Sequence, residues 1–271
     1  MTDLELAERA ARVAGELLLE RFGGPARGVG VKSSSTDLVS EADRAAEEAI
    51  AALLRSERPD DGLLGEEGSA VDGASGRRWV VDPLDGTTNF LYGIPQWAVS
   101  VALEDASGTL AGVVLDPVAG ELFRAERGGG LYLGRYSALR EPTSVEPVRI
   151  RECGDLSRAL LATGFGYDPE RRRVQAQAVA HVLPRVRDIR RAGAAALDLA
   201  WLAAGRLDGY WERGLEPWDW AAGRLLVAEA GGAVADLPGE PHGLAAASAP
   251  LLPELVALVA DAERGAGRRA T

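Results

Sequence analysis

Residues 79–90 read Trp-Val-Val-Asp-Pro-Leu-Asp-Gly-Thr-Thr-Asn-Phe, and they constrain this chain more than any other stretch. Trp79, Val80 and Val81 are aromatic or β-branched, which suits a buried strand. Asp82 and Asp85 follow where that strand ends, with Pro83 fixing the backbone between them. A sheet that buries such a strand must deliver two carboxylates to its end. Beyond them, Gly86-Thr87-Thr88 is a turn able to open a helix, whose first amides have no intrahelical partner and can face an anion. Acids that hold cations beside amides that hold an anion describe a metal-assisted phosphate site. Two other readings of the same residues stay open at this level. Asp-Pro-x-Asp-Gly is also an ordinary turn, with Asp capping and Gly at positive φ. A calcium loop fits less well, because it wants acids at alternate positions and a Glu at the twelfth. Here Asp82 and Asp85 are three apart and the closing position is Gly93.

The rest of the chain bounds the choice. Its 271 residues, 46% hydrophobic and 26% charged, suit a globular protein with a large core, as one unit or two fused halves. No apolar run approaches the length of a membrane span. Asp3, Glu5 and Glu8 stand where a signal peptide would be basic and then apolar, so a cytoplasmic location is expected. The single cysteine, Cys153, excludes an internal disulfide and fits a reducing compartment. A net charge of −11 argues against a nucleic-acid partner but not against a small phosphate ester, provided metal ions reverse the local sign. Lys32 is the only lysine among 30 basic residues, which suggests that its position wants a compact ammonium. It opens a polar loop, Lys32 to Ser40, leading into a helix cap.

Periodicity predicts a helix over 3–22, ended by Gly23-Gly24, and a second from Ser40 to about Leu54. Ser40 with Asp43 resembles a capping box at its start. Segments from Trp97 to Leu133, broken at Asp116-Pro117 and Gly128-Gly129-Gly130, predict an antiparallel meander. Pro142 to Pro147 is the candidate junction between an N-terminal half (1–142) and a C-terminal half (143–271). The second half alternates short strands near Leu160, Ile189 and Tyr210 with helices, an α/β pattern. Two helices are expected at Ala194–Ala204 and Trp220–Ala230, stopped by Gly205 and Gly231-Gly232.

Glu66, Asp82, Asp85 and Asp219 each sit in a loop at the end of a regular element, where α/β folds assemble sites. Taken singly, Asp219 is also a normal residue near a helix N-terminus, and Glu66 a normal surface acid. If the four converge, neighbouring carboxylates ~4 Å apart repel by about 4 kcal/mol at an effective dielectric of ~20. Cations would then have to be present. All-oxygen ligation, with the Leu84 carbonyl as a further donor, selects Mg²⁺ or Mn²⁺. The two histidines, His181 and His242, adjoin no carboxylate cluster, which disfavours zinc.

Asp82-Pro-Leu-Asp85-Gly-Thr-Thr-Asn-Phe, the upstream Gly65-Glu66-Glu67 and the downstream Trp218-Asp219-x-Ala-Ala-Gly together resemble the inositol monophosphatase family. Lys32-x-x-x-x-Asp37-x-Val-Ser-x-x-Asp43 resembles its N-terminal motif, and the likeness runs from about residue 4 to 260. The resemblance implies a layered α/β/α/β/α sandwich of the inositol monophosphatase and fructose-1,6-bisphosphatase type. It implies a Mg²⁺-dependent, lithium-sensitive phosphomonoesterase, homodimeric, with two to three ions per site. Glu66, Asp82 and the Leu84 carbonyl would hold one metal, Asp82, Asp85 and Asp219 a second, and Glu66 a weaker third. Thr87 backed by Asp43, with Glu66, would form the catalytic set that orients and deprotonates water. Gly86, Thr87 and Lys32 would contact phosphate. Asp85, Gly193, Ala194, Ala195, Glu212 and Asp219 would contact the alcohol.

Thr88-Asn89-Phe90 resembles the inositol phosphatases within the superfamily, and a carboxylate at Glu212 suits vicinal hydroxyls. Inositol 1-phosphate is therefore the expected substrate, cleaved to inositol and phosphate. Ser40 in place of Thr, Ala194 in place of a hydroxyl residue, and an aromatic wall at Phe165-Gly166-Tyr167 depart from the family pattern. The alternatives are a fructose 1,6-bisphosphatase, a broader sugar or nucleotide phosphatase, and a non-catalytic phosphate-ligand binding protein.

Overall fold

The computed structural model describes residues 1–24, 29–31, 38–137, 139 and 141–268; Lys32 and Asp37 fall outside them. Helix α1 (Asp3–Leu19) is followed by the two-stranded pair β1 (Gly30–Val31) and β2 (Leu38–Val39), then α2 (Glu41–Glu57). Next come β3 (Gly62–Gly65), β4 (Ala70–Val71), β5 (Arg78–Asp85), α3 (Thr87–Leu91), β6 (Ala98–Asp105), β7 (Gly108–Asp116), β8 (Glu121–Glu126), β9 (Gly130–Ser137) and β10 (Glu141–Pro147). The remainder is β11 (Leu160–Thr163), α4 (Pro169–Val182), β12 (Asp188–Arg190), α5 (Ala195–Ala203), β13 (Gly209–Arg213), α6 (Pro217–Glu229), β14 (Gly232–Leu237), β15 (Gly243–Ser248) and α7 (Leu252–Arg268).

The expected meander is present as β6 to β9, hydrogen-bonded in sequence within an eight-stranded sheet of order β10-β9-β8-β7-β6-β5-β3-β4. Only β3 and β5 pair in parallel there. Residues 141–147, with their prolines, form the outer strand β10 of this sheet, an edge position that tolerates missing amides. A second, five-stranded sheet has the order β12-β11-β13-β15-β14, with β11 parallel to both neighbours.

Five layers follow from which faces are apolar. Along β5 and β6, Trp79, Val81, Val99, Val101 and Leu103 pack towards α1 and α2. The alternate residues Val80, Ala98 and Ala102 pack towards α5 and α6. The second sheet covers the other side of α5 and α6, and its outer face carries α4 and α7. A strand buried on both faces reads as a continuous apolar run, which is why Trp79-Val80-Val81 does not alternate. No helix among the described residues is long and apolar enough to cross a membrane.

Ser40 caps α2 as its sequence suggests, with Asp43 completing the box. Helix α6 begins at Pro217, three residues before the expected Trp220. Pro217 takes the first helical position, where its missing N–H costs nothing, and Asp219 accepts from the Glu216 amide at 2.7 Å. Asp219 therefore lies inside the first turn. Helices α5 and α6 approach closely because position 223 lacks a side chain: a Cβ there would meet Leu199 Cβ at 2.6 Å. Gly223→Val should separate the two helices and destabilise the protein by about 1–3 kcal/mol, the usual cost of overpacking. Urea denaturation measures this, and an unchanged midpoint would mean that the helices have room to spare.

Candidate active site

Strand β5 does not stop at its apolar part. It runs through Asp82 to Asp85, with a register shift between them against β6. The irregularity interrupts the ladder at the C-terminal end of β5, where both acids stand. Asp82 is buried and accepts from the Leu84 amide at 2.9 Å. Asp85 is buried as well, and its two oxygens accept from the Ala195 and Ala196 amides at 3.1 and 2.7 Å. Those amides open α5, so the acid from the first sheet caps a helix from the middle layer. Ser100, opposite Asp82 across the β5–β6 pair, donates its hydroxyl to the Trp218 carbonyl at 3.3 Å. That bond places the first turn of α6, and with it Asp219, over the same sheet end.

Gly86 adopts φ +96° and ψ +36°, the left-handed region that glycine enters freely. A Cβ there would also lie 3.0 Å from the Gln96 carbonyl oxygen. Helix α3 starts next, and the Thr87 hydroxyl donates to Asp43 Oδ1 at 2.8 Å, with the Leu84 carbonyl 3.2 Å away. Asp43 is fully buried and accepts on its other oxygen from the Ser40 amide and hydroxyl. With Asp43 and the Leu84 carbonyl both in reach of its proton, the Thr87 hydroxyl acts as a donor on that side and keeps acceptor capacity for a water. Asn89 donates to the Gln96 and Ala192 carbonyls at 2.6 and 2.9 Å, tying α3 to the segment that ends in Gly193.

One cleft of about 370 Å³ is lined by Glu66, Asp82, Leu84, Asp85, Gly86, Thr87, Gly193, Ala194, Ala195, Glu212 and Asp219. These are all the expected site residues except Asp43, which backs Thr87, and Lys32, which lies outside the described residues. Ala195 reaches the cleft with its amide already committed to Asp85.

Crowding sets the electrostatics. Asp82 is held well above the usual carboxylate range by burial, reinforced by Glu66, Asp85 and Asp219. Asp219 is raised well above it by desolvation and by Asp85 and Glu66. Asp85 is pushed up to about 7 by desolvation, against the two amide bonds that favour its charge. Glu212 is also pushed up to about 7 by desolvation, opposed by the Tyr210 hydroxyl, which donates to it at 2.7 Å, and by Arg191. The donor set is all oxygen and acidic, which fits a hard divalent cation. Among the described residues, however, no three acidic, histidine or cysteine side chains are already gathered tightly enough to hold an ion. Asp82, Asp85 and Asp219 each accept from a backbone amide, which holds their carboxylates in place and leaves further acceptor sites on the same oxygens.

Three contributors were not singled out from sequence. Glu47 is buried on α2 and accepts from the Glu67 and Ser69 amides at 2.7 and 2.8 Å, holding the turn that presents Glu66. The signal was an acid one turn after Asp43 on the face that carries Ala46 and Ile50. Asp198 is buried in the otherwise apolar α5 and lines the cleft, where desolvation and Glu212 hold it well above the usual range. Arg191 lines the cleft beside them and stands over the Phe165 ring at 5.5 Å.

Comparison with known proteins follows the same lines. The sequence model of the inositol monophosphatase family matches residues 2–266. The chain is 42% identical over 238 residues to the Nus factor SuhB of Escherichia coli K12, covering 87% of this chain and 85% of that protein. It is 42% identical over 250 residues to the inositol-1-monophosphatase of Rhizobium meliloti, covering 90% and 89%. The structure of an IMPase from Thermotoga maritima superposes with a TM-score of 0.86 at 30% identity, covering 98% of this chain and 100% of that one.

The raised carboxylates make stability depend on pH in a definite direction. Between the ordinary carboxylate range, about 4, and about 7, the folded state keeps protons on Asp85 and Glu212 that the unfolded chain has released. Stability therefore falls as pH rises through that window. Without divalent ions, the melting temperature should be lower at pH 7.5 than at pH 5.5, as followed by circular dichroism. A higher value at pH 7.5 would mean that these acids are charged and compensated.

Proposed function

The chain belongs to the inositol monophosphatase family and is a phosphatase, and from that premise we propose that it hydrolyses inositol 1-phosphate with Mg²⁺. The observation that carries this reading is the meeting of Glu66, Asp82, Asp85 and Asp219 in one cleft with a Thr87–Asp43 pair. Glu66, Asp82 and the Leu84 carbonyl would hold one ion, and Asp82, Asp85 and Asp219 a second. Glu66 would also serve a weaker third, and Mn²⁺ suits the same donors. When bound, such ions acidify a water and neutralise charge on the phosphoryl and leaving oxygens. Thr87 accepts a hydrogen bond from the attacking water while its own proton rests on Asp43, which fixes the line of attack. The Gly86 and Thr87 amides would bind phosphate oxygens, and Glu212 would accept from hydroxyls of the alcohol. Lithium sensitivity, a homodimer and a fructose 1,6-bisphosphatase side activity belong to the same reading.

The likeness to a Nus factor favours a second reading, a non-catalytic ligand- or partner-binding role on the same scaffold. Under it, Asp85→Asn would weaken ligand binding with no turnover to lose.

Phosphate release from inositol 1-phosphate at millimolar Mg²⁺ separates the two, and its absence rejects the enzymatic reading for this substrate. Thr87→Ala should lower kcat by about a hundredfold or more, with KM little changed. Mg²⁺ should raise the melting temperature more at pH 7.5 than at pH 5.5, because only ionised carboxylates ligate.

A further inference from the structure

Beside the catalytic cleft lies a larger chamber of about 690 Å³, between α4, the ends of β11 and β13, and the loop that carries Pro238 and Pro241. The two hollows share a wall, since Gly164, Phe165, Asp168, Arg171 and Glu212 line both. Gly164 keeps that wall thin. A Cβ there would fall 2.0 Å from Glu212 Oε2, so the carboxylate rests directly against bare backbone and forms the sill between them. The chamber side of the sill is mostly apolar, with Val174 and Val179 on α4, Trp211 on β13, and Pro241.

Its basic side chains divide into two kinds, set among the acids Asp168, Glu170, Glu240 and Glu263. Arg213 is consumed internally, paired with Glu263 and donating to the Pro238 and Pro241 carbonyls at 3.0 and 3.1 Å. Arg171, by contrast, takes part in no salt bridge among the described residues and stands where the two hollows join. Arg171 and Phe165 line both hollows, and a guanidinium is a group on which a ring can stack. The catalytic cleft is of a size for a phosphate, its ions and one polyol ring, and the adjoining space lies within the range of a ligand pocket in its own right.

We infer that the second chamber receives a flat, apolar ring carried on the alcohol of the substrate, so that the protein prefers phosphomonoesters of substituted sugars over those of bare polyols. The inference rests on the phosphatase reading of the cleft. The polyol or sugar lies over Glu212, and its substituent crosses the sill into the Val174, Val179 and Trp211 wall.

A matched pair of esters tests it: the 6-monophosphates of phenyl glucoside and of methyl glucoside, which differ only in the ring. The phenyl ester should have the higher kcat/KM by about tenfold, the scale expected for burying one such ring. Val174→Trp fills the chamber and should bring that ratio to about one while leaving the methyl ester unchanged. Retained methyl-ester turnover and an unaltered melting temperature show that the variant is folded; should it not fold, Val179→Phe takes its place. A ratio near one in the native protein, or a ratio that survives the filled chamber, overturns the inference. If neither glycoside ester nor inositol 1-phosphate is hydrolysed, the phosphatase reading of the cleft fails instead. Calorimetric binding of the same two esters then decides the chamber by the same ratio and the same variant.

Discussion

A single carboxylate joins the two halves of the cleft. Asp85 leaves the end of a strand in the larger sheet and accepts from the first two amides of a helix that begins 110 residues later. The amides of a helix start carry partial positive charge and no intrahelical partner, so an acid is the group they stabilise best. This contact fixes where α5 begins, hence where Gly193 and Ala194 stand relative to Asp82 and Thr87. The Asn89 amide reinforces it by bonding the Ala192 carbonyl at 2.9 Å. The β5 and α3 side of the cleft and the segment that opens α5 are thereby registered against each other by local bonds as well as by the bulk packing of the core.

The same arrangement concentrates negative charge where water is scarce. Burial is the largest cause of the raised carboxylates, with neighbouring acids adding to it. A fold would ordinarily avoid this by pairing each acid with a base. Elsewhere this chain does so freely: Arg206 forks onto Glu121, and Arg151 onto Asp208. In the cleft the acids turn to backbone amides instead, which hold their geometry without cancelling their charge. Acids so placed hold protons well above the usual carboxylate range, because burial and their neighbours oppose their charge.

Much of this was legible in the chain. The apolar run of Trp79 to Val81 announced a strand buried on both faces, and Asp82 and Asp85 announced acids at its end, because the spacing of strand and turn residues is local information. The Ser40–Asp43 cap was legible for the same reason, and it matters twice, since Asp43 both caps α2 and accepts the Thr87 proton. What could not be read was anything set by contact between distant elements. Helix α6 starts at Pro217 and not at Trp220, because Pro217 takes its first position and the Ser100 hydroxyl holds the Trp218 carbonyl. Glu47 and Asp198 were passed over because an acid in a helical pattern normally faces water. Only the tertiary packing reveals that one holds the Glu66 turn and the other borders the cleft.

The two sheets contribute to the cleft differently. Glu66, Asp82, Asp85 and Thr87 all come from the eight-stranded sheet or its adjoining turns, braced by α2 through Asp43 and Glu47. Those supports are buried, and altering one would disturb several acids at once. Other groups lining the cleft come with the second sheet and its helices: Glu212 on β13, Arg191 after β12, Phe165 before α4 and Arg171 on α4. Here a single close contact, Gly164 against Glu212, separates the reacting end from a wider space. A residue with a Cβ at that one position would push the Glu212 carboxylate aside and change the field it exerts on Asp85 and Asp219. The acids of the cleft thus come from both sides of the molecule, Asp82 and Asp85 with the first sheet, Asp219 with α6 and Glu212 with the second sheet, and their charges act on one another across it.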